Sequence, residues 1–227
     1  MEQDSTHIRK NLIIACRILS REGLVEGFGH VSARIPDSNL FILTPRISLA
    51  LVKEEDLLVL NLKGEVVTGK SPPPLEAPLH TAIFNGKTKV QAIARIHARR
   101  AGLFSVTDKK IEPLHNHGSF FFGGVPVFPR TNLISTPMLG QEVTDELGDK
   151  PAILLRGNGQ VTVGGSIPEA VMMAIYLEET ADILYGALQI GTPIPLSAEE
   201  SASRQGEVLP NVDLKRAWNY YKNKIEE

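Results

Sequence analysis

Cysteine is nearly absent from this sequence, and neither sign of charge is in excess. Cys16 is the single cysteine among 227 residues, which excludes a framework of disulfides within the chain. Lysine and arginine number 24 against 26 aspartates and glutamates, giving a formal net charge of −2 and an isoelectric point of about 6.3. This balance provides no electrostatic basis for binding nucleic acid or an anionic membrane surface.

Long apolar runs are also missing. No stretch approaches the ~20 apolar residues that a membrane-spanning helix requires. The charged first ten residues, MEQDSTHIRK, lack the apolar region of a secretory signal. The hydrophobic content of 42% is nevertheless sufficient for a sizeable core. We therefore expect a cytoplasmic protein with a single domain over residues 1–227 and with no membrane or nucleic-acid partner.

Three common catalytic signatures are not found. The sequence has no Walker phosphate loop, no Gly-x-Gly-x-x-Gly after a predicted strand, and no Gly-x-Ser-x-Gly turn around a nucleophile. Their absence argues against the main nucleotide-binding and serine-hydrolase classes.

Helical and strand patterns alternate along the chain without a linker or an internal repeat, which predicts an α/β fold. The segment DLLVLNLKGEVVTG predicts a hairpin that turns at Lys63-Gly64, and PAILLRGNGQVTVGG predicts two strands around a Gly-Asn-Gly turn. The apolar segment VQAIARIHA predicts a buried strand. Spacing and capping residues predict helices over residues 5–22, 76–84, 136–149, 166–190 and about 209–226.

Glu76 is the first candidate for chemistry. It follows three prolines at the start of a predicted helix. A carboxylate there is stabilised by the helix dipole as an N-terminal cap, or it acts as a general acid or base at a rigid junction. The spacing alone does not choose between these two roles. His80 lies one helical turn later on the same face, where we expect it to be packed.

Further candidates are found at strand ends and in turns. His97 ends the predicted buried strand, where a histidine is more often part of the core or rim than a ligand. His115 and His117, in LHNHG, share a face if the segment is extended and would then form a plausible metal pair. Asn158 lies between two glycines, where asparagine is common because it tolerates positive φ.

Two polar segments offer backbone N–H groups and hydroxyls that could hold an anion. GFGHVSAR carries His30 and Ser32, and TPRISL carries Thr44 and Arg46.

These segments, in this order, resemble the class II aldolase/adducin family from about residue 8 to 187. The resemblance rests on GFGHVSARI, FILTPRISLALVKEEDLLVLNLKGEVVTG, PPPLEAPLH, IARIHARRAGLFSVTD and LGDKPAILLRGNGQVTVGGSIPEAVMMAIYLEETA. It implies an α/β fold, a three-layer α/β/α sandwich with a central mixed, largely antiparallel sheet. It also implies a homotetramer with active sites between subunits and a divalent metal, zinc or manganese.

The resemblance assigns roles to individual residues. Glu76 occupies the position of the family's acid/base glutamate. The family's metal ligands come from a His-x-His at the strand end and a histidine in a later turn, and these positions hold His97, Arg99 and Asn158 here. A guanidinium cannot ligate a metal, and at ~4 Å and an effective dielectric near 20 it repels a unit charge by about 4 kcal/mol, roughly doubled for a divalent ion. We therefore expect no metal at the inherited place, where His97 is the one remaining ligand.

Among the branches, the sequence looks most like the decarboxylases of hydroxylated aromatic or pyridine carboxylic acids. The preferred hypothesis is a metal-independent lyase, a decarboxylase acting on a carboxylated or phenolic small molecule. Glu76 would move a proton with His97, while Arg99 supplies a fixed cation and Asn158 a hydrogen bond. Substrate contacts are assigned to His30, Ser32, Thr44, Arg46, His115 and His117.

Three alternatives stay open. One is a cyclase, dehydratase or isomerase that uses the same groups in a biosynthetic pathway. Another is a metal-dependent aldolase or decarboxylase whose site has moved to His97, His115 and His117. The last is a member without catalysis, as in the adducin branch, that binds a ligand or a partner subunit.

Overall fold

A computed structural model describes residues 2–208 and 211–226 of the chain. The strands are β1 (His30–Arg34), β2 (Leu40–Leu43), β3 (Leu58–Asn61), β4 (Val66–Thr68), β5 (Ala92–Ile96), β6 (Val127–Phe128), β7 (Ala152–Leu155) and β8 (Gln160–Gly164). The helices are α1 (Glu2–Arg21), α2 (Ala77–Gly86), α3 (Arg99–Phe104), α4 (Pro137–Leu147), α5 (Ile167–Ile190), α6 (Ala198–Val208) and α7 (Asn211–Glu226). Short 3-10 turns cover Glu54–Asp56 and His117–Phe121.

The strands form one eight-stranded sheet in the order β4-β3-β2-β1-β5-β8-β7-β6. Every neighbouring pair is antiparallel except β6 and β7, which run parallel. This arrangement confirms the predicted mixed, largely antiparallel sheet. The hairpin predicted at Lys63-Gly64 is present as β3 and β4.

Helices cover both faces of the sheet. Side chains alternate along a strand, and here both faces carry apolar side chains that must be buried. In β5, Ala94 and Ile96 belong to a core that includes α1 and α5, whereas Ile93 belongs to a second core with α2 and α4. The predicted three-layer α/β/α sandwich is therefore confirmed.

The C-terminal helices lie on the α1 and α5 side. Helix α7 packs against α1 and α5, and Trp218 is buried in that core. The predicted start of this helix, about residue 209, lies outside the described residues. Helix α6 was not predicted, because its segment AEESASRQGEV has no apolar stripe. Among the described residues, no helix is both long and apolar enough to cross a membrane.

Three chain segments meet at one edge of the sheet and position the candidate site: the end of β5, the loop before α2, and the turn between β7 and β8. The turn is closed by hydrogen bonds between Leu155 and the segment that follows, with the Asn158 N–H donating to the Leu155 carbonyl at 2.8 Å. Gly157 and Gly159 have φ values of 67° and 74°, in the left-handed region. A Cβ on Gly159 would lie 2.2 Å from the Ile96 carbonyl oxygen.

These two glycines provide a matched pair of substitutions. Gly157→Ala introduces the left-handed strain alone, because the nearest atom to its Cβ is 3.9 Å away, and we expect a loss of about 1–2 kcal/mol in the free energy of unfolding. Gly159→Ala adds the collision with backbone and should cost about 1–3 kcal/mol more. Urea denaturation measures both losses, and equal losses would contradict the close packing of this turn on β5.

Candidate active site

A cavity of about 440 Å³ opens where the three segments meet. Its wall is partly apolar, with Phe28, Leu75 and Leu133 among the lining side chains. The polar and charged side chains that line it are His30, Arg46, Ser48, Glu76, Arg95, His97 and Asn158.

Glu76 lies at the N-terminal cap position of α2, but its carboxylate makes no capping hydrogen bond. The side chain is buried, with 4% of the residue exposed. Oε1 accepts hydrogen bonds from the Ile134 backbone N–H at 3.1 Å and from Asn158 Nδ2 at 3.3 Å. The carboxylate therefore faces the cavity instead of the helix, which favours the chemical role over the cap.

Arg95 supplies the cation beside Glu76. Its Nε lies 2.9 Å from Glu76 Oε2, with the N–H directed off the line to that oxygen, so the contact is an ion pair more than a linear hydrogen bond. Nη1 donates to the Ile96 carbonyl at 3.2 Å and lies 2.7 and 3.0 Å from the ring nitrogens of His97. The guanidinium thus bridges Glu76 and His97.

Sequence reasoning missed Arg95, although a signal was present. The residue interrupts the apolar run AIARI, and its side chain in the folded chain is 1% exposed. A charged residue inside a buried strand needs a partner of opposite charge. That requirement, together with the carboxylate of Glu76, identifies the pair.

Behind Glu76 lies a chain of buried hydrogen bonds. His30 Nε2 is 3.5 Å from Glu76 Oε2, His30 Nδ1 is 2.6 Å from His80 Nε2, and His80 Nδ1 is 2.6 Å from Ser32 Oγ. The ionised carboxylate can only accept, so Nε2 of a neutral His30 carries the proton and its Nδ1 accepts. His80 then donates through Nε2 and accepts through Nδ1, and the Ser32 hydroxyl donates. All of these hydrogen bonds therefore point towards Glu76.

The electrostatics fix the charge states. Burial by itself would raise the pKa of Glu76, but the hydrogen bond with His30 and the charge of Arg95 lower it to about 2. Burial lowers the pKa of His30 and holds the pKa of His80 well below its usual value. Burial and the nearby Arg95 also lower the pKa of His97. At neutral pH the cavity consequently holds an anionic Glu76 beside neutral imidazoles.

Arg99 is not brought to this cavity. Strand β5 ends at Ile96, and Arg99 is the first residue of α3. Residues 97 and 99 therefore do not share one face of a strand. The Arg99 side chain is 81% exposed and forms an ion pair with Glu26 on the surface.

Only some of the side chains that were assigned to substrate contacts lie at the cavity. His30 and Arg46 line the cavity. Ser32 is fully buried behind His80, and Thr44 is fully buried with its hydroxyl accepting from the Val31 N–H at 3.0 Å. These last two side chains organise β1 and do not reach the cavity in this chain.

His115 and His117 lie elsewhere, against α5. His115 Nε2 is 3.1 Å from Thr180 Oγ1, and His117 Nδ1 is 3.0 Å from Glu179 Oε2. One ligand atom each from His115, His117 and Glu179 lies within 4.8 Å of the others. His97 is not a member of this group, so the combination of His97 with His115 and His117 is not assembled.

The residues at the position where the resemblance implies a divalent metal do not fit one. Arg95 Nη1 lies within 3.0 Å of both His97 ring nitrogens, His97 Nδ1 is also 3.3 Å from the Phe28 carbonyl oxygen, and Glu76 is already paired with the guanidinium. Arg99 points away from the cavity, and Asn158 offers a neutral amide whose nitrogen faces Glu76. A fixed cation among the donors repels a metal ion.

Comparison with known proteins shows which family the chain belongs to. The family model described as "Class II Aldolase and Adducin N-terminal domain" matches residues 10–185. The chain is 28% identical to a 3,4-dihydroxyphthalate decarboxylase of Arthrobacter keyseri, covering 93% of this chain and 91% of that protein. A protein of the same name from Terrabacter sp. is 32% identical, with coverages of 91% and 92%.

An L-fuculose phosphate aldolase of Methanococcus maripaludis is 33% identical, over 77% of this chain and 94% of the aldolase. Among solved structures, the L-fuculose 1-phosphate aldolase from Glaciozyma antarctica superposes with a TM-score of 0.85 at 25% identity, covering 99% of this chain and 90% of that one. The family model spans most of the sequence, and the chain belongs to the class II aldolase and adducin family.

Proposed function

We propose that this protein is a metal-independent lyase that decarboxylates a hydroxylated, carboxylated small molecule. The observation that carries the proposal is the buried pair of Glu76 and Arg95 beside His97, at the place where the resemblance implies a metal. The similarity to two proteins named 3,4-dihydroxyphthalate decarboxylase supports this reaction class.

The cavity suits a small anionic ring. Its volume of about 440 Å³ falls in the range of small-molecule sites, and Phe28, Leu75 and Leu133 supply an apolar wall. Arg46 is exposed at the cavity and makes no ion pair among the described residues. Its guanidinium can bind a substrate carboxylate through two parallel hydrogen bonds.

The chemistry follows from the two central charges. With the ring hydroxyl ionised, a proton is delivered to the ring carbon that carries the carboxylate, and the phenolate becomes a dienone. The bond between that carbon and the carboxylate then breaks, carbon dioxide leaves, and the bonding electron pair returns to the ring and regenerates the phenolate. Arg95 stabilises the negative charge that develops there. A bound anionic substrate raises the pKa of Glu76 through like-charge repulsion, so the carboxylate takes up one proton from bulk solvent as the substrate binds. The resulting carboxylic acid delivers this proton to the ring carbon and returns to the carboxylate, which accounts for the one proton that the reaction consumes.

Analysis of the products distinguishes decarboxylation from the other candidate reactions. The aldolase relatives make cleavage of a phosphorylated sugar the second candidate. Cyclisation, dehydration or isomerisation conserves all the carbon of the substrate, whereas decarboxylation releases carbon dioxide. Ligand binding without product would indicate a non-catalytic member.

We also propose the homotetramer implied by the resemblance. Phe28 lines the cavity yet is 78% exposed in the single chain, which supports a neighbouring subunit covering the mouth of the site.

Glu76→Gln tests the proton transfer. The amide keeps the size of the side chain but removes the charge, so we expect kcat to fall by about 10²–10⁴. Release of carbon dioxide from 3,4-dihydroxyphthalate and related dihydroxybenzoic acids measures the effect. Glu26→Gln, on the surface, is the matched control and should retain full turnover. Unchanged kcat in Glu76→Gln would remove this residue from the mechanism.

Arg95→Lys and Arg99→Lys distinguish the two arginines. A lysine at 95 keeps the charge but cannot bridge Glu76 and His97, so we expect at least about a tenfold loss in kcat/KM, corresponding to about 1.4 kcal/mol in the transition state. Arg99→Lys should have no effect, because the side chain is exposed. A thermal melt of each variant separates loss of activity from loss of fold. If Arg99→Lys lost activity and Arg95→Lys retained it, Arg99 would be the cation that stabilises the developing charge.

Metal independence is tested by exhaustive dialysis against a chelator followed by the same assay. We expect unchanged turnover, and no increase when zinc or manganese is added back, because Arg95 occupies the place of the ion. Loss of activity that the metal restores, in the unmodified protein and equally in His117→Phe, would overturn the proposed mechanism.

A further inference from the structure

A second cluster of ligand-bearing side chains lies between the 3-10 turn His117–Phe121 and helix α5, and no step of the proposed reaction uses it. It consists of His115, His117 and Glu179, with one ligand atom of each within 4.8 Å of the others. We propose that this cluster binds a divalent first-row transition metal such as zinc. Two imidazoles and one carboxylate form a ligand set that suits such ions.

The hydrogen bonds around His115 favour this role. The Thr180 hydroxyl donates to the Tyr176 carbonyl at 2.6 Å, so its oxygen can only accept from His115 Nε2 at 3.1 Å. The proton of His115 therefore resides on Nε2, and Nδ1 is left with a free lone pair. Metal-bound histidines typically show this pattern, with the second ring nitrogen donating to a protein oxygen.

The His117 ring is also held in place. It stacks on Tyr176 with 4.1 Å between ring centroids and 15° between planes, and Tyr176 stacks in turn with Phe120. His117 Nδ1 faces Glu179 Oε2 at 3.0 Å. An ion between these two atoms would replace their mutual contact. Fixed ligand side chains reduce the entropy that binding would otherwise cost.

The cluster borders a separate cavity of about 570 Å³ between α5 and α7. His117 and Glu179 line it, together with Asp213 and the tyrosines of α7. The ion would therefore be reached from this cavity and would link the 3-10 turn to α5. A surface contact of His117 with Glu179 contributes only about 0–1 kcal/mol even when the histidine is charged, and it gives no role to the unprotonated nitrogen of His115.

Titration of chelator-treated protein with cobalt(II) or zinc tests the proposal. We expect one ion bound per chain, with a visible cobalt spectrum of nitrogen and oxygen ligation. Glu179→Gln and His117→Phe should each weaken binding at least tenfold. The phenylalanine retains the stacked ring, so the fold is preserved. Thr180→Val, which removes the acceptor of the His115 proton, should weaken binding about tenfold or more without removing a ligand.

Two controls locate the ion. Asp182→Asn changes a neighbouring carboxylate of α5 that pairs with Arg100, and His97→Ala removes the one inherited ligand in the Glu76 cavity. Both should bind cobalt as the unmodified protein does. Absence of binding, unchanged affinity in Glu179→Gln and His117→Phe, or loss of binding in His97→Ala alone would overturn the proposal. The cobalt spectrum is read without substrate, so this result is independent of the decarboxylation assay.

Discussion

The candidate site depends on one buried electrostatic contact, between Glu76 and Arg95. Either charge alone at this depth would carry a large desolvation cost. Together they are compensated, and the Ile134 N–H, the Asn158 amide and the Ile96 carbonyl satisfy further hydrogen-bonding positions. These partners come from β5, from the turn between β7 and β8, and from the loop before α4. The pair therefore ties together the segments that form the cavity.

A guanidinium differs from a divalent metal in what it can do. It carries one permanent charge spread over a plane, and it donates hydrogen bonds in fixed directions. It has no open coordination position and cannot acidify a water molecule as a metal does. A site built on Arg95 is consequently suited to stabilising an anion that the substrate itself generates, as in the loss of carbon dioxide. The exposed Arg46 side chain lines the same cavity.

Much of the fold follows from the sequence, whereas the site follows only in part. Periodicity, capping residues and the Gly-Asn-Gly turn identify the strands and the principal helices, because these signals are local. Glu76, His97 and Asn158 come from matching the family pattern. Arg99 comes from the same family pattern, but β5 ends at Ile96 and Arg99 begins α3, so its side chain lies on the surface. The partnership of His30 with His80 joins residues 50 positions apart and has no local signal.

The series of buried hydrogen bonds that links Ser32, His80, His30 and Glu76 also affects how the sheet folds. His30 and Ser32 alternate along β1 with Val31 and Ala33, which belong to the α1 and α5 core. Slipping β1 by one position against β5 would turn both polar side chains into that apolar core and leave His80 buried without partners. These hydrogen bonds therefore favour the native register of β1 against β5. The apolar residues of β1 alone would discriminate less sharply against the misaligned sheet.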